Sequence, residues 1–141
     1  MRRLGLVALG LLISGTVSTV AVPAASEAEK RATDAALIWL GLIDNGRYAE
    51  SWTDASGYFR GAITKKGWEV SLRVERDPLG KVLSRDVQAT KEATSLPGAP
   101  DGHYVVIQLK TSFAAKASAI ETVTFTEERD GTWRAAGYYI R

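Results

Sequence analysis

The periodicity of the chain changes at Gly80, and no other feature constrains the fold as much. Ahead of it, Ala28, Ala32, Ala35, Trp39, Leu42 and Ile43 recur three and four residues apart, one apolar face of a helix. Ser26 and Glu29 stand in the Ser-x-x-Glu relation of a capping box, so the helix opens at Ser26. Asn45-Gly46 stops it, because both residues tolerate the left-handed geometry of a helix end. Tyr48, Trp52 and Ala55 mark a second, shorter helix that Gly57 ends. Trp68, Val70, Leu72 and Val74 alternate, which favours a strand slightly; Trp68, Leu72 and Glu75 also fit a helix capped by Thr64.

Beyond Gly80 the pattern is that of a sheet. "KVLSRDVQ" reads as a first strand, with Thr90 to Thr94 as its continuation. "LPGAPDGH" is dense in Pro and Gly and reads as a turn-rich loop. "YVVIQLKTSF" is rich in β-branched residues, with Val105, Ile107, Leu109 and Phe113 facing a core. In "IETVTFTEE", Val123 and Phe125 share one face and Thr122, Thr124 and Thr126 the other. Asp130-Gly131 is a strong hairpin signal, and "TWRAAGYYIR" makes a last strand with Gly137 at a bulge. Helices first, then about four antiparallel strands joined in order, is an α+β arrangement with the helices on one face of the sheet.

The start of the chain reads differently. "MRR" precedes the apolar run "LGLVALGLLI", and small residues lead to "VPAAS", the three-part layout of a signal peptide. A cut after Ala24 divides the chain into a leader, 1–24, and a single domain, 25–141. The alternative is an uncleaved membrane anchor, since Leu4 to Val22 carries no charge, although its second half is rich in Gly, Ser and Thr. The paired arginines lack the polar lead-in of a twin-arginine signal, and a chain without Cys cannot carry a lipoprotein anchor. Nor can it form disulfides, so its core alone holds it. The formal charge of +2 rests on Arg2 and Arg3; beyond residue 24, 16 basic residues face 16 acidic ones. A nucleic-acid partner is not expected of a neutral domain.

Few residues carry recognisable chemistry. One His and no Cys argue against a metal, and no cofactor is expected. His103 sits beside Asp101-Gly102 at the mouth of a strand, where a loop-end role outweighs a catalytic one. The glycines are scattered singly, with no phosphate-cradling motif. Asp44, Asp54 and Glu121 are the candidates for a buried acid or base; helix ends account for the first two, and pairing with Lys116 for the third. Core packing explains most of the aromatics, and the sharper reading is a partly open pocket with Trp52 and Tyr138 at its rim.

Four blocks in order, "RDPLGKVLSR", "LPGAPDGHYVVIQLKTSFAAK", "ETVTF" and "DGTWRAAGYYI", resemble a bacterial exported family known as domain of unknown function 4019. The likeness runs from Trp39 to Arg141. It implies a layout similar to cystatin-like and nuclear-transport-factor-like (NTF2-like) folds. It also implies a helix over Trp68 to Arg76, which overrules the slight preference for a strand. The family has no assigned activity, so it supplies no catalytic residues.

"DPLG" then reads as the joint between helix and sheet, because Pro78 disfavours helical geometry in the residue before it. Arg73, Arg76 and Arg85 brace it through Asp77, Asp86 or a nearby carbonyl, or else form a guanidinium cluster for an anion. The expected function is a small, non-enzymatic module of the periplasm or cell envelope that binds an apolar ligand or an envelope protein. Its expected contact residues are Trp52, Tyr58, Arg73, Arg85 and Tyr138. The rival is a pocket enzyme of isomerase or hydrolase type with one buried carboxylate. Contact with the membrane is expected only through the leader before cleavage, or lastingly if the leader is an uncleaved inner-membrane anchor.

Overall fold

The computed structural model describes residues 23–141. The expected leader, apart from Pro23 and Ala24, lies outside the described residues. Helix α1 spans Glu27–Asp44 and begins with the expected capping box: the Ser26 hydroxyl accepts from the Glu29 N–H, and the Glu29 carboxylate accepts from the Ser26 N–H. Gly46, at φ 73°, turns the chain into α2, Tyr48–Thr53.

Gly57 does not close α2 as expected. The Ser56 hydroxyl accepts from the Phe59 N–H and starts a third helix there, α3, Gly57–Ala62. Thr64 caps α4, Lys65–Glu75, in the same way. The alternation of Trp68, Val70, Leu72 and Val74 is therefore not that of a strand: Trp68 and Leu72, one turn apart, are buried, while Val70 and Val74 face water. The helix that the family resemblance implied is the observed one.

A 3₁₀ turn at Asp77–Leu79 and Gly80 (φ 74°, ψ −159°) lead into a four-stranded antiparallel sheet of order β1-β2-β3-β4. The strands are β1, Val82–Ala93; β2, Tyr104–Phe113; β3, Lys116–Glu127; and β4, Trp133–Ile140. All four helices come before the sheet in sequence. The core joins Trp39, Leu40 and Ile43 of α1 to Phe59 and Trp68, and to Ile107, Leu109, Val123 and Phe125 of the central strands. This α+β layout is consistent with cystatin-like and NTF2-like folds. Among the described residues no helix is long and apolar enough to cross a membrane.

One irregularity in β4 positions the site. Thr124 pairs with Gly137 and Phe125 with Ala135, so Ala136 is an extra residue next to the expected glycine. Strict alternation from Trp133 would turn Tyr139 inward. The bulge changes the parity: Tyr138 packs against the core and Tyr139 is 51% exposed.

Candidate functional site

The interior holds two adjoining clusters, one aromatic and one ionic. In the first, Trp39 stacks on Trp68 with ring centroids 6.0 Å apart. The edges of Phe59, Phe125 and Tyr138 close round Trp39 at 5.7 to 6.3 Å. Ser51 of α2 satisfies both indoles: its carbonyl accepts from Trp39 Nε1 at 2.8 Å and its hydroxyl from Trp68 Nε1 at 2.9 Å. These rings fill the space between helices and sheet.

The second cluster surrounds Glu121. Ala119, Glu121, Val123 and Phe125 share the core-facing side of β3, so Glu121 is carried inward by its register and is 0% exposed. Arg85 of β1 meets it side-on, Nε to Oε1 at 2.7 Å and Nη2 to Oε2 at 3.2 Å. The Thr111 and Tyr138 hydroxyls donate one to each oxygen. The same guanidinium reaches Asp44 at the end of α1, at 2.6 and 3.0 Å. Arg76 completes the group: Nη2 lies 3.3 Å from Asp44 and Nη1 donates to the Gly80 carbonyl at 2.7 Å. Its guanidinium rests over the Phe113 ring. Two carboxylates and two guanidiniums thus balance in the interior.

Burial works against the Arg85 cation, but its hydrogen bonds to Asp44 and Glu121, with their charges, outweigh that and push its pKa up. Burial, the neighbouring Glu121 charge and the hydrogen bond together push the Tyr138 phenol well above its ordinary value. Tyr138 is therefore a donor throughout the physiological range.

Several expectations change here. Arg85 does not pair with Asp77 or Asp86, and Glu121 does not pair with Lys116. Glu121 faces the core and takes Arg85 instead. Asp44 does more than end α1, since it bridges both buried arginines. Arg76 does brace the joint through a nearby carbonyl. Arg73 stands apart, exposed, one turn from Glu69.

Of the five expected contact residues, the structure brings only Arg85 and Tyr138 together, through Glu121. Trp52 lies at the junction of α2, α3 and α4, where its Nε1 donates to the Ile63 carbonyl at 2.8 Å and Lys65 sits over its ring. Tyr58 is on α3, with its hydroxyl on the Gly98 carbonyl at 3.0 Å. Asp54 follows α2, and its carbonyl accepts from Arg134. His103 is held by Glu127, Nδ1 to Oε2 at 2.8 Å, with its ring edge against Trp133. A largely apolar cleft of about 270 Å³ lies where it was not expected, between α1 and the sheet, lined by Ile38, Trp39, Leu42, Phe125 and Trp133, with Asp54 and Arg134 as its charged members.

A helical layer on one face of a four-stranded antiparallel sheet, its interior filled by rings and paired charges, defines a small α+β domain. The family model described as "Protein of unknown function (DUF4019)" matches residues 35–138, and the chain belongs to that family. No curated protein matches it.

Proposed function

We propose that this DUF4019 protein is a non-enzymatic binding module of the cell envelope, delivered there by a cleaved leader. The saturation of Glu121 carries the reading. A general base needs a free lone pair that a substrate proton can reach. Glu121 accepts four hydrogen bonds, about as many as a carboxylate can take, from Arg85, Thr111 and Tyr138. It lines neither the α1–sheet cleft nor the groove between α1 and β1. It is also the one buried carboxylate among the described residues. Binding then falls to the exterior, and the α1–sheet cleft, with Ile38 75% exposed on its wall, suits an apolar ligand or a partner's apolar side chain.

The leader reading is supported by Pro23, Ala24 and Ala25, which are exposed and outside any helix or strand. A cut after Ala24 spares the Ser26 cap.

Two measurements test the proposal. N-terminal sequencing of the envelope fraction should return a chain that begins near Ala25. A chain that begins at Met1 and needs detergent for extraction indicates a membrane anchor instead. Glu121→Gln should lower the melting temperature. Removing a base held at the expense of stability tends to raise it, so a stabilised variant would favour the pocket enzyme.

A further inference from the structure

The anion site that Arg73, Arg76 and Arg85 suggested in the sequence is filled, at Arg76 and Arg85, by the protein's own carboxylates. A second group of arginines is not. Arg60 of α3, Arg129 of the β3–β4 turn and Arg134 of β4 line one surface depression of about 530 Å³. Arg31 reaches the same turn from α1, with Nη2 donating to the Gly131 carbonyl at 3.0 Å. Among the described residues, neither Arg60 nor Arg129 makes an ion pair or a side-chain hydrogen bond. Arg134 gives one N–H to the Asp54 carbonyl at 3.2 Å.

Two carboxylates share the depression, and both are turned to internal donors. Glu128 Oε1 accepts from the Gly57 N–H at 3.2 Å. Asp130 Oδ1 accepts from the Thr132 N–H at 3.0 Å and its hydroxyl at 2.6 Å. One oxygen of each carboxylate is thus engaged within the protein, while two guanidiniums and most of a third keep their donors for solvent, and three cations against two anions leave the depression with one excess positive charge. Three elements converge to place them, so the cluster follows from the fold rather than from a basic run in the sequence.

We propose that Arg60, Arg129 and Arg134 form a binding site for a phosphate-bearing ligand. All three cations are arginines, whose planar forks match phosphate oxygens two at a time, as a lysine point charge does not. The ligand's chemistry is a phosphate mono- or diester, and its source is either a soluble phosphate compound or an anionic phospholipid headgroup. The inference deepens the binding reading and rests on it, but uses none of the residues that surround Glu121.

The test uses the purified protein and the double variant Arg60→Gln/Arg129→Gln. Neither residue holds a partner among the described residues, so the fold should survive, as circular dichroism can verify. Calorimetry with glycerol 3-phosphate, a phosphate monoester, reads the soluble source. Sedimentation with phosphatidylglycerol–phosphatidylcholine vesicles, against phosphatidylcholine alone, reads the lipid source. The wild type should bind at least one of the two anionic probes. The double variant should bind it roughly tenfold more weakly or worse, as loss of two charged donors implies, and Arg47→Gln should bind as the wild type does. Binding of neither probe, or equal binding by the double variant, overturns the site. That failure is distinct from failure of the non-enzymatic reading, which turns on the stability of Glu121→Gln.

Discussion

Arg85 presents one edge of its guanidinium to Glu121 and the other to Asp44, so a single cation on β1 ties the end of α1 to the middle of the sheet. Removing one partner strands the other. Glu121→Leu should destabilise the fold by about 3–5 kcal/mol, because it leaves two buried guanidiniums with one carboxylate. Arg85→Met combined with Glu121→Leu should recover most of that loss, since Asp44 and Arg76 remain paired. Urea unfolding of the two variants measures the difference. Equal destabilisation would mean that charge balance is not what the network supplies.

The tyrosines set an alkaline limit. Burial, with Asp77 beside it, pushes Tyr48 up to about 12. Burial, with Glu121 beside it, pushes Tyr138 higher still. Their folded pKa values exceed the unfolded value near 10, so the folded state holds these protons more tightly. Their contribution is fully present below pH 10. It is lost progressively as the pH rises above that, through 12 for Tyr48. The urea midpoint should fall from pH 10 to 11.5, and Tyr48→Phe with Tyr138→Phe should flatten the slope. A wild-type midpoint constant over that range would contradict the assignment.

Much of this fold is legible in the residues, and the gaps have physical causes. Caps at Ser26 and Thr64 and the turn at Asp130-Gly131 are local devices, so local reading finds them. Gly57 is ambiguous in the sequence because glycine both ends and precedes helices; the capping hydroxyl of Ser56 is the deciding signal. The ionic network is not legible as a unit because its members come from α1, the joint, β1 and β3, far apart in sequence. One clue was available: Glu121 shares its strand face with Val123 and Phe125, a carboxylate in register with core residues. The expected rim of Trp52 and Tyr138 does not form, because nothing local says that α2 turns Ser51, not Trp52, toward the indoles.

Gly80 holds the joint. Its φ of 74° with ψ of −159° belongs to a region that only glycine occupies cheaply, and an added Cβ would stand 3.3 Å from that of Ala114. The turn before it cannot relax freely, because Arg76 donates to the Gly80 carbonyl. Gly80→Val should cost about 1–3 kcal/mol, read as a lowered melting temperature. An unchanged melting temperature would show that the chain reaches β1 by another geometry.

The bulge in β4 makes a sharper prediction. Deleting a residue from the middle of a strand normally turns every side chain beyond it to the opposite face. Ala136 should be the exception. It has no partner on β3, whereas Ala135 and Gly137 pair with the consecutive residues Phe125 and Thr124. Without it the ladder becomes continuous, Tyr138 stays opposite Val123, and its hydroxyl stays on Glu121. The deletion should therefore fold, with a loss of about 1–2 kcal/mol for the altered twist of the strand. Deleting Thr124 from β3 removes a paired residue and turns either Glu121 and Val123 or Phe125 away from the core, and that variant should not fold. Circular dichroism melts of the two deletions compare them directly. If the Ala136 deletion unfolds as completely as the Thr124 deletion, the bulge does not set the inward face of Tyr138.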